Sequence, residues 1–264
     1  MGLGSQMVLW DDEFCETLAS HGFRVIRFDN RDVGRSTILR DAPIPTRVQL
    51  MLRDKRAAAY SLDDMAGDAA GLLDQLGIEA AHVVGASMGG MIAQLLAIHH
   101  PRHVLSLVSI MSSTGNRRVG QTRPRLYPRL LGRPSRGREG YIADFVETYR
   151  AIGSKRYPSD TERLRTRAGR CFDRGYHPAG AARQLAAILA ARDRTPLLRE
   201  LRVATTVIHG DADPLVMPSG GRATAQAIPG ARLVILPDMG HDLPRELCPQ
   251  IIEAIVDNAA TAER

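Results

Sequence analysis

The sequence predicts an α/β fold, in which a mostly parallel sheet is flanked by helices and interrupted by an inserted helical region. Short strand-like runs alternate with helical runs in the first and last parts of the chain, as they do when crossover helices cover a parallel sheet. The middle of the chain is rich in Arg, Gly and Pro and carries helical patterns. With 264 residues, 44% of them hydrophobic, the chain is long enough for one well-packed domain.

The first part of the predicted core covers residues 1–111. Its best-marked helix is 61–76, because Ser61 with Asp64 three residues later is typical of a helix start, and Gly77 is typical of a helix end. The apolar patterns also predict strands at 24–29, 82–84 and 104–111, and a buried helix at 88–98.

The inserted helices cover residues 112–195, and the second part of the core covers residues 196–264. In the insertion, helical patterns lie near 139–152, 160–172 and 178–192. In the second part of the core, strand signals return at 205–208 and 232–236, and an amphipathic helix follows Pro244. The whole arrangement predicts one sheet with an insertion, not two separate folds.

The positive charge of the chain is concentrated in one region. Residues 116–176 hold 16 Lys and Arg against 6 Asp and Glu, although the net charge of the whole chain is only +6. Such a region can bind nucleic acid or an acidic substrate. Its aromatic residues are sparse and form no RNA-binding pattern, so we favour a solvated, arginine-rich surface and expect no nucleic-acid partner.

The apolar runs and the cysteine positions indicate the location of the protein and its need for cofactors. No stretch approaches the ~18 consecutive apolar residues of a membrane span, and no signal peptide is visible. The three cysteines are Cys15, Cys171 and Cys248, which are odd in number, far apart and without metal-ligand spacing. We therefore expect a cytoplasmic protein with no membrane partner, no metal and no cofactor. The oligomeric state stays open.

The run Gly85-Ala86-Ser87-Met88-Gly89 matches the G-x-S-x-G pattern of a nucleophile elbow. A nucleophilic serine on a sharp strand-to-helix turn needs neighbours without bulk, and the following helix directs its first N–H groups toward the reacting oxygen. An apolar strand precedes this run and an apolar helix follows it, as the pattern requires. Since nucleotide-binding glycine patterns are lacking, Ser87 is predicted to be a catalytic nucleophile.

A serine nucleophile needs a general base and a carboxylate that orients the base. Asp213 and His241 follow the two last predicted strands, at the sheet edge where open α/β sheets place their sites. We prefer Asp213 to Asp211, because Asp211 directly follows the strand glycine and is better placed to brace the turn. Asp238 and Asp242 are too close to His241 in sequence to orient its ring easily. The other seven histidines are assigned structural or solvated roles.

The chain resembles the α/β-hydrolase superfamily over nearly its whole length, and within it the aclacinomycin methylesterase-like branch. The resemblance is carried by MGLGSQ at 1–6, VIRFDNRDVGRS at 25–36, GASMG at 85–89, GDADPLV at 210–216 and MGHDLP at 239–244. It implies the α/β-hydrolase fold, a catalytic triad of Ser87, Asp213 and His241, and a helical lid at 112–195. It also implies an oxyanion hole formed by the backbone N–H groups of Leu3 and Met88.

The start of the sequence departs from this family pattern. The family normally has two or three strands before its Gly-rich loop, whereas this sequence begins inside that loop. We therefore expect an N-terminally shortened chain whose first strands are missing. Leu3 then lies at a fraying terminus. Because the strands that anchor the loop are missing, we expect a poorly stable chain. Losing one oxyanion donor lowers the rate by ~10²–10³, so we also expect weak activity.

The leading functional hypothesis is hydrolysis of a carboxylic ester, such as a methyl ester of a bulky natural-product-like acid, through an acyl-enzyme. A small-molecule ester is therefore the expected partner. Two alternatives stay open: a cofactor-free haloperoxidase or perhydrolase with the same triad, and a non-catalytic ligand receptor on the same fold. Epoxide and haloalkane hydrolysis are disfavoured, because they need a carboxylate where Ser87 stands.

Overall fold

A four-stranded parallel sheet forms the centre of the protein, whose computed structural model describes residues 1–262. The strands lie side by side in chain order. They are β1 (Ala81–Ala86), β2 (Val104–Ile110), β3 (Ala204–Gly210) and β4 (Arg232–Leu236). The predicted parallel sheet is therefore confirmed, and its four strands match the predicted runs to within about two residues.

Helices precede the sheet, cover both of its faces and fill the long connection between β2 and β3. In chain order they are α1 (Asp12–Ser20), α2 (Arg47–Leu52), α3 (Leu62–Gln75), α4 (Met88–His99), α5 (Tyr127–Leu130), α6 (Gly137–Ile152), α7 (Thr161–Gly175), α8 (Pro178–Ala190), α9 (Thr195–Leu198), α10 (Ser219–Ala227) and α11 (Cys248–Ala262). Short 3₁₀ turns lie at Met7–Leu9, Lys55–Ala57, Pro101–His103, Pro124–Leu126 and Arg245–Leu247. Within residues 1–262, no helix is long and apolar enough to cross a membrane.

The two faces of the sheet carry separate hydrophobic clusters. Leu107 packs with α3 and α4 on one face, whereas its neighbour Val108 packs with α1 and α11 on the other. Successive strand residues point to opposite faces, so a strand covered on both sides reads as a continuous apolar run. This explains why β2 carries apolar residues on both of its faces.

Helix α3 begins and ends where the sequence predicts. The Ser61 hydroxyl accepts a hydrogen bond from the Asp64 N–H at 3.1 Å, and the Asp64 carboxylate accepts one from the Ser61 N–H at 2.7 Å. This reciprocal pair satisfies two N–H groups at the helix start. After the helix, Gly77 has a φ of +65°. Glycine adopts this left-handed conformation without steric strain because it has no Cβ, whereas other residues are strained there.

The strand predicted at 24–29 is wrong. The segment keeps the alternation of a strand, with Val25 and Arg27 half-buried and Ile26 and Phe28 exposed. However, it forms no ladder with any strand in residues 1–262, and β1 pairs only with β2. A ladder needs a neighbouring strand, and alternation within one segment does not show whether a neighbour exists.

The chain between β2 and β3 forms the predicted helices, now α6, α7 and α8. Helices α6 and α7 pack against each other. Two buried ion pairs join this region to the loop after residue 28: Arg174 contacts Asp29 at 2.7 Å, and Arg183 contacts Asp32 at 2.8 Å. We call residues 112–195 the insert; its role as a lid stays a prediction.

Candidate active site

Ser87 lies at the turn between β1 and α4, with φ +56° and ψ −119°. A positive φ is unfavourable for a residue with a side chain, and such strain is concentrated at functional sites. The neighbouring glycines allow the turn. A Cβ on Gly85 would overlap the carbonyl oxygen of Gly89, and a Cβ on Gly89 would lie 2.9 Å from the carbonyl oxygen of Met1. The glycine pattern therefore has a steric cause at both positions.

The structure brings Ser87, His241 and Asp213 together in one hydrogen-bonded chain. His241 lies in the loop after β4, and its Nε2 is 3.0 Å from the Ser87 Oγ. Its Nδ1 is 2.6 Å from the Asp213 Oδ2. Asp213 lies in the loop after β3, so all three side chains converge at the carboxyl edge of the sheet.

The Asp213 carboxylate is held by its own loop. Its Oδ1 accepts hydrogen bonds from the N–H groups of Leu215 and Val216 at 2.8 and 2.9 Å, which leaves Oδ2 for His241. Asp211 points elsewhere: its Oδ1 accepts the N–H of Asp238 at 2.7 Å. Asp211 thus braces the loops after β3 and β4 against each other, and Asp213 contacts the imidazole.

Electrostatics keep Asp213 ionised. Burial by itself would raise the pKa of this carboxyl, but the charge of His241 and hydrogen bonds from His209 and His241 lower it to about 2. At neutral pH the carboxylate therefore holds the Nδ1–H of His241. The other ring nitrogen then presents its lone pair to Ser87.

His209 is a neighbour that the sequence analysis assigned only a structural role. It is fully buried at the end of β3; its Nε2–H donates to the Val216 carbonyl at 2.7 Å and lies 3.5 Å from the Asp213 Oδ2. It therefore fixes the turn that carries Asp213 and contributes to that low pKa. Its position four residues before Asp213 is the only local signal of this contact.

The insert holds the loop that carries His241. The His241 N–H donates to the Ile152 carbonyl at the end of α6, at 2.8 Å. Ser154 donates its hydroxyl to the Asp242 Oδ1 at 2.6 Å and accepts the Gly240 N–H at 2.8 Å. Burial raises the pKa of Asp242, and the hydrogen bonds from Ser154 oppose that rise. Sequence reasoning missed Ser154, because nothing near it in the chain indicates a contact 88 residues away.

The predicted oxyanion donors, the backbone N–H groups of Met88 and Leu3, belong to the two chain segments beside Ser87. Met88 is the first residue of α4, and the N–H of a first helical residue has no partner within its helix. The main chain at Gly2 passes Ser87, since a Cβ there would lie 3.5 Å from the Ser87 Oγ. The Leu3 N–H donates no hydrogen bond to residues 1–262, whereas the next N–H, of Gly4, is bound by Gln184 at 2.8 Å.

Two of the remaining histidines have contacts away from this site. His99 pairs with Asp63 at 3.1 Å, and His103 contacts the Glu79 carbonyl at 2.9 Å. In the described part of the chain, no three His, Cys, Asp or Glu side chains are grouped so that they could hold a metal ion.

Known proteins are similar to this chain in sequence and in fold. A family model described as alpha/beta hydrolase fold matches residues 2–244. Rhodomycin D methylesterase DauP of Streptomyces sp. (strain C5) is 31% identical over 96% of this chain and 87% of its own length. Rhodomycin D methylesterase DnrP of Streptomyces peucetius is 30% identical with the same coverage. The enol-lactonase from Burkholderia xenovorans LB400 superimposes with a TM-score of 0.74 at 26% identity, covering 98% of this chain and 88% of that one.

The match covers both halves of the core and the insert. The predicted resemblance to a methylesterase-like branch is confirmed, because both of these Streptomyces relatives are methylesterases. The chain therefore belongs to the α/β-hydrolase family.

Proposed function

We propose that this protein is a serine hydrolase that cleaves a carboxylic ester through an acyl-enzyme. The observation that carries the proposal is the chain of hydrogen bonds from Ser87 through His241 to Asp213, at 3.0 and 2.6 Å, on a serine held at positive φ. Both distances are within the range for proton transfer between a nucleophile, its base and an orienting carboxylate.

In the acylation step, the Ser87 Oγ attacks the ester carbonyl carbon while the His241 Nε2 takes the hydroxyl proton. Asp213 stabilises the imidazolium that forms and does not itself take the proton. Negative charge develops on the carbonyl oxygen, and the N–H groups of Met88 and Leu3 donate to it. The tetrahedral intermediate collapses when the bond to the alcohol oxygen breaks and His241 returns its proton to that oxygen.

In the deacylation step, His241 takes a proton from water as the water oxygen attacks the acyl carbon. The second intermediate collapses when the bond to the Ser87 Oγ breaks. His241 protonates that oxygen, and the free acid leaves. No group beyond the chain and water is needed, so the proposed reaction uses no cofactor.

The methylesterase relatives favour a methyl ester of a bulky acid as the substrate class. We propose that the insert acts as the lid that shapes the acyl site, since Ile152 and Ser154 at the end of α6 bond the His241 loop directly. A cytoplasmic location is part of the proposal and is supported by Cys15, Cys171 and Cys248, all free thiols.

The test is labelling by a fluorophosphonate probe, which reacts with activated serines. The wild type should be labelled, and Ser87→Ala should lose both labelling and ester hydrolysis, by about 10⁴-fold or more in kcat. Ser20→Ala, a change of an exposed serine in α1, is the control and should keep both.

The outcomes separate the alternatives. Absence of labelling in a folded wild type would overturn the proposal and favour a non-catalytic receptor. A panel of methyl, ethyl and aryl esters with small and bulky acids then defines the substrate class. Faster turnover of hydrogen peroxide with a short carboxylic acid than of any ester would favour a perhydrolase.

A further inference from the structure

The segment 40–56, which contains α2, presents an uncovered apolar surface. Its exposed aliphatic side chains are Ile44, Val48, Met51 and Leu52, with 59, 64, 67 and 75% of their areas accessible. They are the four most exposed large hydrophobic side chains in residues 1–262, and the next, Leu105, is 47% accessible. Val48, Met51 and Leu52 have the spacing of one helix face, so they form a single patch.

Positively charged residues flank this patch along the chain. The segment carries five exposed cationic side chains: Arg40, Arg47, Arg53, Lys55 and Arg56. Within residues 1–262 none of them forms an ion pair, although most arginines of α6 and α7 do. The two acids of the segment are Asp41 and Asp54, and Asp54 accepts the N–H of Arg56 as a turn cap.

The segment is held in place by its other face. Leu50 and Pro45 are buried, and Thr46 and Gln49 form a reciprocal cap at the start of α2. Arg183 of α8 donates to the Ala42 carbonyl at 3.4 Å. The apolar patch is therefore presented by an anchored helix.

We infer that the 40–56 segment docks the protein on an anionic lipid surface. Exposed aliphatic side chains enter the boundary between headgroups and acyl chains, and surrounding cations bind the acidic headgroups. This inference differs from the expectation of no membrane partner, which rested on the lack of a spanning segment. Docking on a surface requires no span.

Charge and composition favour lipid over other partners. A second copy that used the same patch would bring two cationic rims together, which opposes association. Single-stranded nucleic acid is bound by stacking on aromatic rings, and residues 40–56 contain none. An anionic bilayer complements both the aliphatic side chains and the charge.

The docking surface is connected to the candidate site. Arg183, which bonds the segment, is followed in α8 by Gln184, which binds the Gly4 N–H in the loop beside Ser87. The inference does not depend on hydrolysis. It is tested with the full chain carrying Ser87→Ala, so that a failure of the proposed function leaves this result unaffected.

The experiment is co-sedimentation with vesicles of phosphatidylcholine alone or mixed with phosphatidylglycerol. The protein should bind the mixed vesicles and not the neutral ones, and added salt should weaken binding. Two variants should each lose about a hundredfold or more in affinity: Val48→Ser/Met51→Ser/Leu52→Ser, and Arg47→Gln/Arg53→Gln/Arg56→Gln.

A matched control removes the same charge elsewhere. Arg117, Arg118 and Arg123 are also exposed and without ion pairs in the described chain, so their triple change to Gln should alter affinity less than about threefold. Equal loss in this control would overturn the inference in favour of non-specific attraction. Unchanged binding of either α2 variant, or no binding by the wild type, would also overturn it. A dimer in sedimentation velocity that the Ser triple abolishes would assign the patch to a second copy instead.

Discussion

The loops at the carboxyl edge of the sheet and the outer surface of the insert use charge in opposite ways. In the loops, Asp213, His241 and Asp242 are buried, and each makes hydrogen bonds to other side chains or to the backbone. In the insert, pairs such as Arg138 with Asp173 are exposed. Solvent screens exposed pairs, whereas a buried group that loses its partner keeps its full desolvation cost. Equal chemical changes should therefore have very unequal effects in the two regions.

The insert itself divides in two. Every arginine between residues 117 and 136 is exposed, and none has an ion pair within residues 1–262. In α6 and α7 most arginines are paired, and Arg174 reaches the buried Asp29 of the core. The insert is thus attached to the core by the buried contact of Arg174 and also by more exposed ion pairs of Arg163 and Arg170.

Among the changes that compare these two regions, the largest effect is expected from Asp213→Asn. Asparagine keeps an oxygen for the N–H groups of Leu215 and Val216, so the loop stays folded, but its amide cannot accept the Nδ1–H of His241. We expect kcat for ester hydrolysis to fall about 10⁴-fold. Steady-state kinetics measure this, and Asp211→Asn is the control, with a loss below about tenfold. Comparable losses in both variants would contradict the assignment of Asp213 as the partner of the base.

The next largest difference is expected between two glycine substitutions, one at the end of β1 and one inside α3. Gly85→Ala places a Cβ on the Gly89 carbonyl, where backbone faces backbone and cannot yield, so we expect a loss of more than about 3 kcal/mol in unfolding free energy. Gly71→Ala, inside α3, meets nothing within 4 Å and should stabilise by about 0.5–1 kcal/mol. Urea unfolding measures both. A stable Gly85→Ala variant would show that the turn at Ser87 has room for a Cβ at position 85, contrary to the overlap with the Gly89 carbonyl.

These contrasts explain which features the sequence predicts. The elbow, the cap of α3 and the four strands depend on residues close together in the chain, and they lie within about two residues of their predicted places. The positions of Asp213 and His241 also follow from local order, because each lies in the loop after a strand of one parallel sheet.

What the sequence could not predict depends on distant partners. Segment 24–29 has the pattern of a strand and no ladder, and Ser154 reaches Asp242 across 88 residues. The exposed face of α2 is likewise invisible in sequence, because an apolar helix face normally predicts burial against a core. In each case the local pattern shows how a segment is built, but it does not show whether a partner lies against that segment.

Within the insert, burial should decide the cost of losing an arginine. Arg174→Gln leaves the buried Asp29 carboxylate with only the N–H groups of Met7 and Arg35, and we expect a loss of about 3 kcal/mol. Arg165→Gln removes an exposed pair with Glu139 and should cost at most about 0.5 kcal/mol. Denaturant unfolding at neutral pH compares the two. Similar losses would mean that exposed pairs also hold the insert.

The pH dependence of stability should have opposite signs at the two buried carboxyls of the site. Asp213 has its pKa lowered from 3.8 to about 2, so the unfolded chain binds more protons between these values. Its contribution of about 2 kcal/mol is therefore complete above pH ~4 and lost as the pH falls through about 2. Urea unfolding between pH ~2 and ~4 measures this. The change in unfolding free energy over this range should be about 2 kcal/mol smaller in Asp213→Asn than in the wild type.

Asp242 reverses the sign, because its pKa is raised above the ordinary 3.8 by burial between the His241 loop and the end of α6. Asp242 therefore stabilises the folded state when the pH is below 3.8, the ordinary pKa of an aspartate. This stabilisation is lost as the pH rises through the pKa of Asp242 in the folded state. Asp242→Asn keeps an oxygen for the Ser154 hydroxyl and removes the buried charge, so its stability relative to wild type should increase with pH. A relative stability that decreases with pH would mean that the ionised Asp242 is the stabilising form. The hydrogen bonds from Ser154 would then outweigh the cost of burying the Asp242 carboxylate.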